Sequence, residues 1–496
     1  MISRRQVIKN AVDQPSVMLP AQSEKAGGPT AGLSSRINLK RGQWSTSTIL
    51  SGIIIAAVAL RLASALYQGD SIAPLPGIAD QISYDTLARQ VLAGRGFSFP
   101  SDWWPATRAG EPTAHWSFLY TLYLTATYTL FGLHPLAARL IEAVIAGILH
   151  PLLIWRIGTR IFGPQVGLVA AGLTAFYIYF AYYAGALMTE TFYIVAILWT
   201  LDLVTGAVQA MRNLPESPSA RSLKVWGATR PQILRWPLLG LALGVAVLLR
   251  QVMLLLVPLL FIWILWTTGR QGTYSSVTPV INRTRQTVIG LILTMLVLAA
   301  LITPWTARNY FAFGRFVLLN SNSGYAFFLA NHPIYGTDFV PLLPESVYYD
   351  LIPAELRPLD EAALDQALLQ EGIRFAIQDP SRYVRLSLSR IRSYFTFWPE
   401  AQSGAFSNLS RVLSFGILLP AMLYGLILSA ASLGRYGRGS DRSMVVLLYL
   451  FIVVYSLIHL LTWSLIRYRL PVDALLLLFA AVAIANLGGR MIKRAL

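Results

Sequence analysis

Two carboxylates and three arginines, Asp80, Glu190, Arg250, Arg467 and Arg469, stand at the edges of apolar runs. A carboxylate within hydrogen-bonding reach of a hydroxyl or amide can take its proton as the nucleophile attacks. An arginine presents a planar fork that matches phosphate oxygens, and it stabilises negative charge building on a departing phosphate. Acids and arginines gathered at one membrane surface are what a phosphorylated lipid head group needs, while its apolar stem stays in the bilayer. Each residue also admits a structural role. Asp80 can cap a helix, Glu190 can complement a helix dipole, Arg250 can snorkel to head groups, and Arg467 and Arg469 can contact surface lipid.

Other chemistries find no footing. With no cysteine there is no disulfide, thiolate nucleophile or thiolate metal site. The histidines at 115, 134, 150, 332 and 459 show no metal-ligand spacing, and no Ser-His-Asp arrangement, phosphate-binding glycine loop or dinucleotide fingerprint appears. No cofactor is called for; a divalent metal has no ligand set to support it.

The elements that must position these residues are membrane helices. Hydrophobic residues make up 55% of 496, charged residues 13%, and mean hydropathy is +0.55, against about a quarter charged in a soluble domain. A span needs roughly 20 apolar residues, and ten segments reach or approach that length: about 48–68, 137–157, 163–183, 187–209, 233–250, 251–267, 286–306, 409–431, 443–463 and 470–488. An eleventh run, 116–132, is short and polar in its middle (Tyr123, Thr125, Thr127, Tyr128).

Charge assigns that run. If 116–132 does not cross, the clusters Arg156/Arg160, Arg212/Arg221/Lys224/Arg230, Arg270/Arg283/Arg285, Arg435/Arg438/Arg442 and Arg490/Lys493/Arg494 share one side with the basic N-terminal residues, as cytoplasmic loops require. The same loops account for the net charge of +17, so nucleic acid is not the partner; the bilayer is. Both termini are then cytoplasmic, and two large connections, 69–136 and 307–408, face outward from the plasma membrane. Residues 1–46 read as a disordered cytoplasmic tail, 47–306 as a transmembrane module, 307–408 as an outer loop domain and 409–496 as C-terminal transmembrane helices.

In the first connection, Ile82, Leu87, Val91 and Leu92 follow helical spacing from Asp80, with Gly94 as the stop. The second holds an expected helix over 360–378, then a basic, aromatic stretch (Arg382, Arg385, Arg390, Arg392, Phe397, Trp398) suited to the head-group layer.

Taken in order, these residues resemble the GT-C glycosyltransferases, nearest the branch of protein O-mannosyltransferases and the lipid A aminoarabinose transferase. The resemblance rests on Asp80…Tyr84…Leu87-Ala88…Leu92…Gly94…Gly96-Phe97, Phe131-Gly132…Arg139-Leu140, Leu187-Met188-Thr189-Glu190, Arg250, Pro304-Trp305…Arg308-Asn309-Tyr310, Gly324-Tyr325…Asn331-His332-Pro333 and Arg467-Tyr468-Arg469-Leu470-Pro471. It implies an all-α polytopic bundle with juxtamembrane helices in its outer loops. It also implies an inverting transfer of sugar from a polyprenyl-phosphate donor, the partner substrate, to an acceptor left open among protein, lipid and glycan. Carried over, Asp80 is the base, Glu190 the second acid, and Arg250 with Arg467 or Arg469 the phosphate grip; Tyr84, His115, Arg139, Arg308 and Asn331 are candidate substrate contacts. Two positions depart from the family's pattern: Gln81 follows the loop aspartate where an acid is common, and His115-Trp116-Ser117 stands where some members carry Lys-Pro-Pro. The rival from another class is a transporter or flippase of lipid-linked sugar, which would need inverted repeats and broken helices deep in the membrane; a scaffold with a sensory outer domain leaves the gathered charges unexplained.

Overall fold

The computed structural model describes residues 45–73, 80–103, 105, 107–212, 234–269, 277–341, 343, 345–400, 403–433 and 440–495. Nearly all of the expected N-terminal tail lies outside them, as do the basic clusters Arg221/Lys224/Arg230 and Arg435/Arg438. In chain order the helices are α1 (Thr46–Gln68), α2 (Asp80–Leu92), α3 (Phe118–Phe131), α4 (Pro135–Phe162), α5 (Pro164–Phe176), α6 (Ile178–Tyr183), α7 (Glu190–Arg212), α8 (Arg235–Leu249), α9 (Val257–Gly269) and α10 (Val277–Phe313). They continue with α11 (Ser323–Asn331), α12 (Glu345–Asp350), α13 (Glu361–Gln378), α14 (Pro380–Tyr394), α15 (Ala405–Arg411), α16 (Ile417–Ser432), α17 (Ser440–Leu461) and α18 (Ile466–Ala495). Among the described residues the strand-like pairing is confined to three isolated bridges within 98–112.

Among the described residues, eight stretches are long and apolar enough to cross a bilayer: α1, α4, Glu190–Ala210, Gln251–Gly269, Thr284–Phe313, Ser407–Ser432, Arg442–Leu461 and Ile466–Gly488. The other two expected spans are shorter apolar helices, α5 and α8; α5 bends at Tyr177 and continues as α6. At 14 residues, α3 is about 21 Å long, short of the ~30 Å hydrocarbon layer. Its polar residues have local uses. Thr121, Thr125, Thr127 and Thr129 each donate to the carbonyl four residues back, while Tyr120, Tyr123 and Tyr128 donate to Glu142, the Ala138 carbonyl and Asp85. Those tyrosines tie α3 to α4 and α2.

The bundle is built around α7 and α18, the most buried of the spans. Helix α4 packs on α1, α5 and α7, α18 on α16 and α5, and α8 on α7 and α10. Close approach needs small residues, since between helices in lipid tight packing replaces the hydrophobic drive. At Gly425 an added Cβ would lie 1.7 Å from the Phe479 carbonyl oxygen.

The second connection carries its own core, in which Tyr325, Phe328, Leu329, Tyr348, Ile352, Leu364 and Leu368 pack together. The helix expected over 360–378 is α13, capped by the Asp360 side chain on the Ala363 amide at 2.9 Å. Helix α11 presses so closely on α13 that a Cβ at Gly324 would meet the Asp365 carbonyl oxygen at 1.8 Å. The Glu361 carboxylate joins the two connections: it accepts from Thr107 Oγ1 at 2.6 Å, from the Ala114 amide at 2.7 Å and from the Ser321 hydroxyl. Helix α18 begins at Ile466, before the expected 470, so Arg467 and Arg469 lie in its first turn and not in a preceding loop. Helix α10 likewise outruns 286–306 and takes in Arg308.

Candidate active site

Asp80 opens α2, and the packing of α2 fixes where its carboxylate points. Trp103 Nε1 donates to Ser83 Oγ at 2.9 Å, Tyr128 donates to Asp85 at 2.6 Å, and Arg89 pairs with Asp85 at 2.8 Å. Glu190 opens α7, directly after Thr189. Arg250 sits where α8 stops. Its backbone turns extended, φ −149° and ψ 115°, before the tight Gln251–Leu256 turn.

Four groups remote in sequence meet there. Arg467 Nη1 lies 2.8 Å from Asp80 Oδ2 and 3.6 Å from Glu190 Oε1. Arg250 Nη2 pairs with the same Glu190 oxygen, and its Nε donates to Thr189 Oγ1 at 2.9 Å. The Glu190 side chain is 2% exposed and that of Asp80 21%, so the cluster grades from buried at Glu190 to partly open at Asp80. Two acids and two arginines leave it close to neutral, with no charge stranded in the interior. Tyr84 lies beside it, its hydroxyl 3.4 Å from the Ser117 amide that donates to it, and burial with Asp80 nearby pushes its phenol up. His115 is buried against Trp116 and Tyr325, their ring centroids 5.1 and 6.1 Å away, and burial lowers its pKa.

The remaining expected residues are engaged elsewhere. Arg469 is fully buried, its Nε on Asp473 Oδ1 at 2.9 Å and Nη1 on the Tyr394 carbonyl at 2.8 Å. The reason is helical: residues two apart on a helix sit about 200° round the axis, so Arg467 and Arg469 point to opposite sides. Arg139 donates to the Gly185 and Ser71 carbonyls at 2.9 Å each and to that of Gly69. It thereby ties the residues leaving α1 to the turn before α7. Arg308 holds the Thr113 carbonyl at 2.9 Å and that of Phe97 at 3.3 Å. Asn331 takes a 2.9 Å hydrogen bond from Arg390 Nη2, joining α11 to α14.

Sequence reasoning missed Tyr468, whose ring lies 5.0 Å from the Arg250 Cζ and 5.2 Å from that of Arg467. It also missed Tyr193, 5.8 Å from the Arg250 Cζ, and the Glu361 tether. The signal for Tyr468 was its place between two singled-out arginines. Among the described residues, no group of three or more His, Cys, Asp or Glu could hold a metal ion. Each carboxylate of the cluster faces an arginine.

No protein-family model and no curated protein matches the sequence. Solved structures do match. The archaeal oligosaccharyltransferase AglB from Archaeoglobus fulgidus, in complex with an inhibitory peptide and a dolichol-phosphate, superposes with a TM-score of 0.55 at 16% identity, covering 91% of this chain and 51% of that one. Its apo form gives a TM-score of 0.57 at 15% identity, with 92% and 52% covered. The fold is GT-C-like. The chain spans about half the length of these oligosaccharyltransferases. A match to ArnT from Cupriavidus metallidurans bound to undecaprenyl phosphate covers 90% of this chain and 80% of that one at 15% identity, but its TM-score of 0.37 carries no argument.

Proposed function

We propose that this chain is a membrane glycosyltransferase that takes a sugar from a polyprenyl-phosphate carrier and delivers it to an acceptor on the extracytoplasmic side. The observation that carries the reading is the shared nitrogen of Arg467 between Asp80 and Glu190, with Arg250 on the same Glu190 oxygen. Two guanidiniums held at a partly open edge of a membrane bundle offer an incoming phosphate two forks.

The reaction is a single displacement. The acceptor's oxygen or nitrogen attacks the anomeric carbon from the side opposite the phosphate. The bond from that carbon to the phosphate oxygen breaks, the electron pair leaves with polyprenyl phosphate, and the configuration inverts. Arg250 and Arg467 take the charge that grows on the leaving phosphate, and Asp80 accepts the acceptor's proton. Glu190 keeps both arginines aimed inward. An arginine that moves onto the donor phosphate also uncovers Asp80, so the base comes free when the sugar is in place.

The surplus of Lys and Arg in the connections that the sequence assigns to the cytoplasmic side supports the outward orientation. The test is transfer from labelled polyprenyl-phosphate sugars by the purified protein in nanodiscs, with a panel of peptide, lipid and glycan acceptors. Turnover of one donor, lost in Asp80→Asn, is expected. Movement of intact lipid-linked sugar across the bilayer without cleavage would replace this reading with a flippase.

A further inference from the structure

We infer that Tyr468 is the positioning residue that sets the spacing of the two phosphate-binding arginines; the inference rests on the donor reading above. Arg250 stands at the end of α8 and Arg467 in α18, and their guanidinium carbons lie 5.0 and 5.2 Å from the centroid of this one ring. Two like charges brought this near repel, and Glu190 meets both through one oxygen, with Asp80 holding only Arg467 and Thr189 only Arg250. An aromatic face attracts both cations and also limits where each can lie. Arg467 Nη2 is 3.5 Å from the Tyr468 hydroxyl, a marginal hydrogen bond, so the ring carries most of the contact.

The ring itself is braced. His459 stacks on it at 4.9 Å with planes 26° apart, and Tyr394 stacks on His459 at 6.2 Å and 21°. Tyr455 packs on the same imidazole at 4.9 Å. The column links the end of α17 and α14 to the first turn of α18, so the arginine spacing is set by three packed elements and not by side-chain rotamers alone.

The experiment measures binding of undecaprenyl phosphate to the full-length protein in nanodiscs, for native protein, Tyr468→Phe and Tyr468→Leu, alongside their melting temperatures. Tyr468→Phe keeps the ring and should bind within about twofold of native; Tyr468→Leu should bind about tenfold or more weakly. In transfer assays the leucine variant's loss should appear mainly in the KM for the donor, which phenylalanine rescues and a general folding defect would not reproduce. Native-like affinity in Tyr468→Leu, or an equal loss in both variants, overturns the platform role. No binding by native protein overturns the donor reading and this inference with it.

Discussion

Arg467 donates from Nη1 to Asp80 Oδ2 at 2.8 Å, joining residues 387 positions apart. The arginine proposed to hold the donor phosphate therefore also covers the proposed base. Phosphate and carboxylate compete for the same fork, and donor binding exchanges one charge-assisted bond for another.

Asp80→Asn keeps size and polarity but cannot take a proton. Turnover should fall by ~10²–10⁴, while affinity for undecaprenyl phosphate stays at native level or rises as Arg467 is released. Asp85, further along α2, is the comparison. It accepts from Tyr128 and pairs with Arg89, so Asp85→Asn should lower the melting temperature but leave the rate per folded molecule largely intact. Transfer rates, donor affinity and thermal scans on both variants decide the matter; an active Asp80→Asn protein assigns the base to another group.

The two arginines should differ in what their removal costs. Arg250→Ala leaves Glu190, which is 2% exposed, with only the longer Arg467 contact at 3.6 Å. A buried charge left wholly unpaired costs about 3–5 kcal/mol of stability, and this loss should approach that range from below. Arg467→Ala leaves the more open Asp80 and should destabilise less. Both should weaken donor binding by a few kcal/mol, and the lysine variants should recover only part, because the bidentate fork is lost. Calorimetric unfolding alongside donor titration separates the two effects. Equal melting temperatures for the two alanine variants would contradict the burial argument.

Asp365 on α13 gives the core of the second connection a pH dependence. Burial pushes its carboxyl up to about 6 against 3.8 in the ordinary case, outweighing the help of the Tyr325 and Gly324 amides. Between those values the folded chain keeps a proton that the unfolded chain has lost. The contribution to stability is therefore full below pH ~4 and is lost as pH rises through about 6. Asp365→Asn removes the charge while keeping an acceptor for the Tyr325 amide. Its melting temperature should exceed the native value near pH ~8 and match it near pH ~4, and a difference independent of pH would refute the assignment.

Topology is open to labelling because the chain has no cysteine. A cysteine at Gly158 would be shut in, since a Cβ there meets Gly167 Cα at 3.0 Å. Ser101, before α3, and Gln165, after α4, are both exposed. If α3 does not cross, Ser101→Cys should react with a membrane-impermeant maleimide from outside and Gln165→Cys only after permeabilisation. The same pattern for both would place α3 across the bilayer.

The amino-acid sequence alone located most of the membrane helices and named the acids and arginines that meet in the cluster. Apolar run length sets where a span begins and ends, which is why α1, α4 and α7 fall close to their expected positions, and local capping by Asp360 set the start of α13. The same sequence nominated Arg467 and Arg469 together, and only the tertiary structure told them apart. Once α18 begins at Ile466 the two point to opposite sides, one to Asp80 and the other to Asp473. Arg139, Arg308 and Asn331 resemble site residues in a linear reading, yet each is spent on contacts within the fold. Those partners are backbone carbonyls and side chains presented by distant segments, and no local periodicity records which of them a fold leaves unsatisfied. The meeting of Asp80, Glu190, Arg250 and Arg467 has the same origin: it depends on how α2, α7, α8 and α18 pack, and packing is a property of all the helices at once.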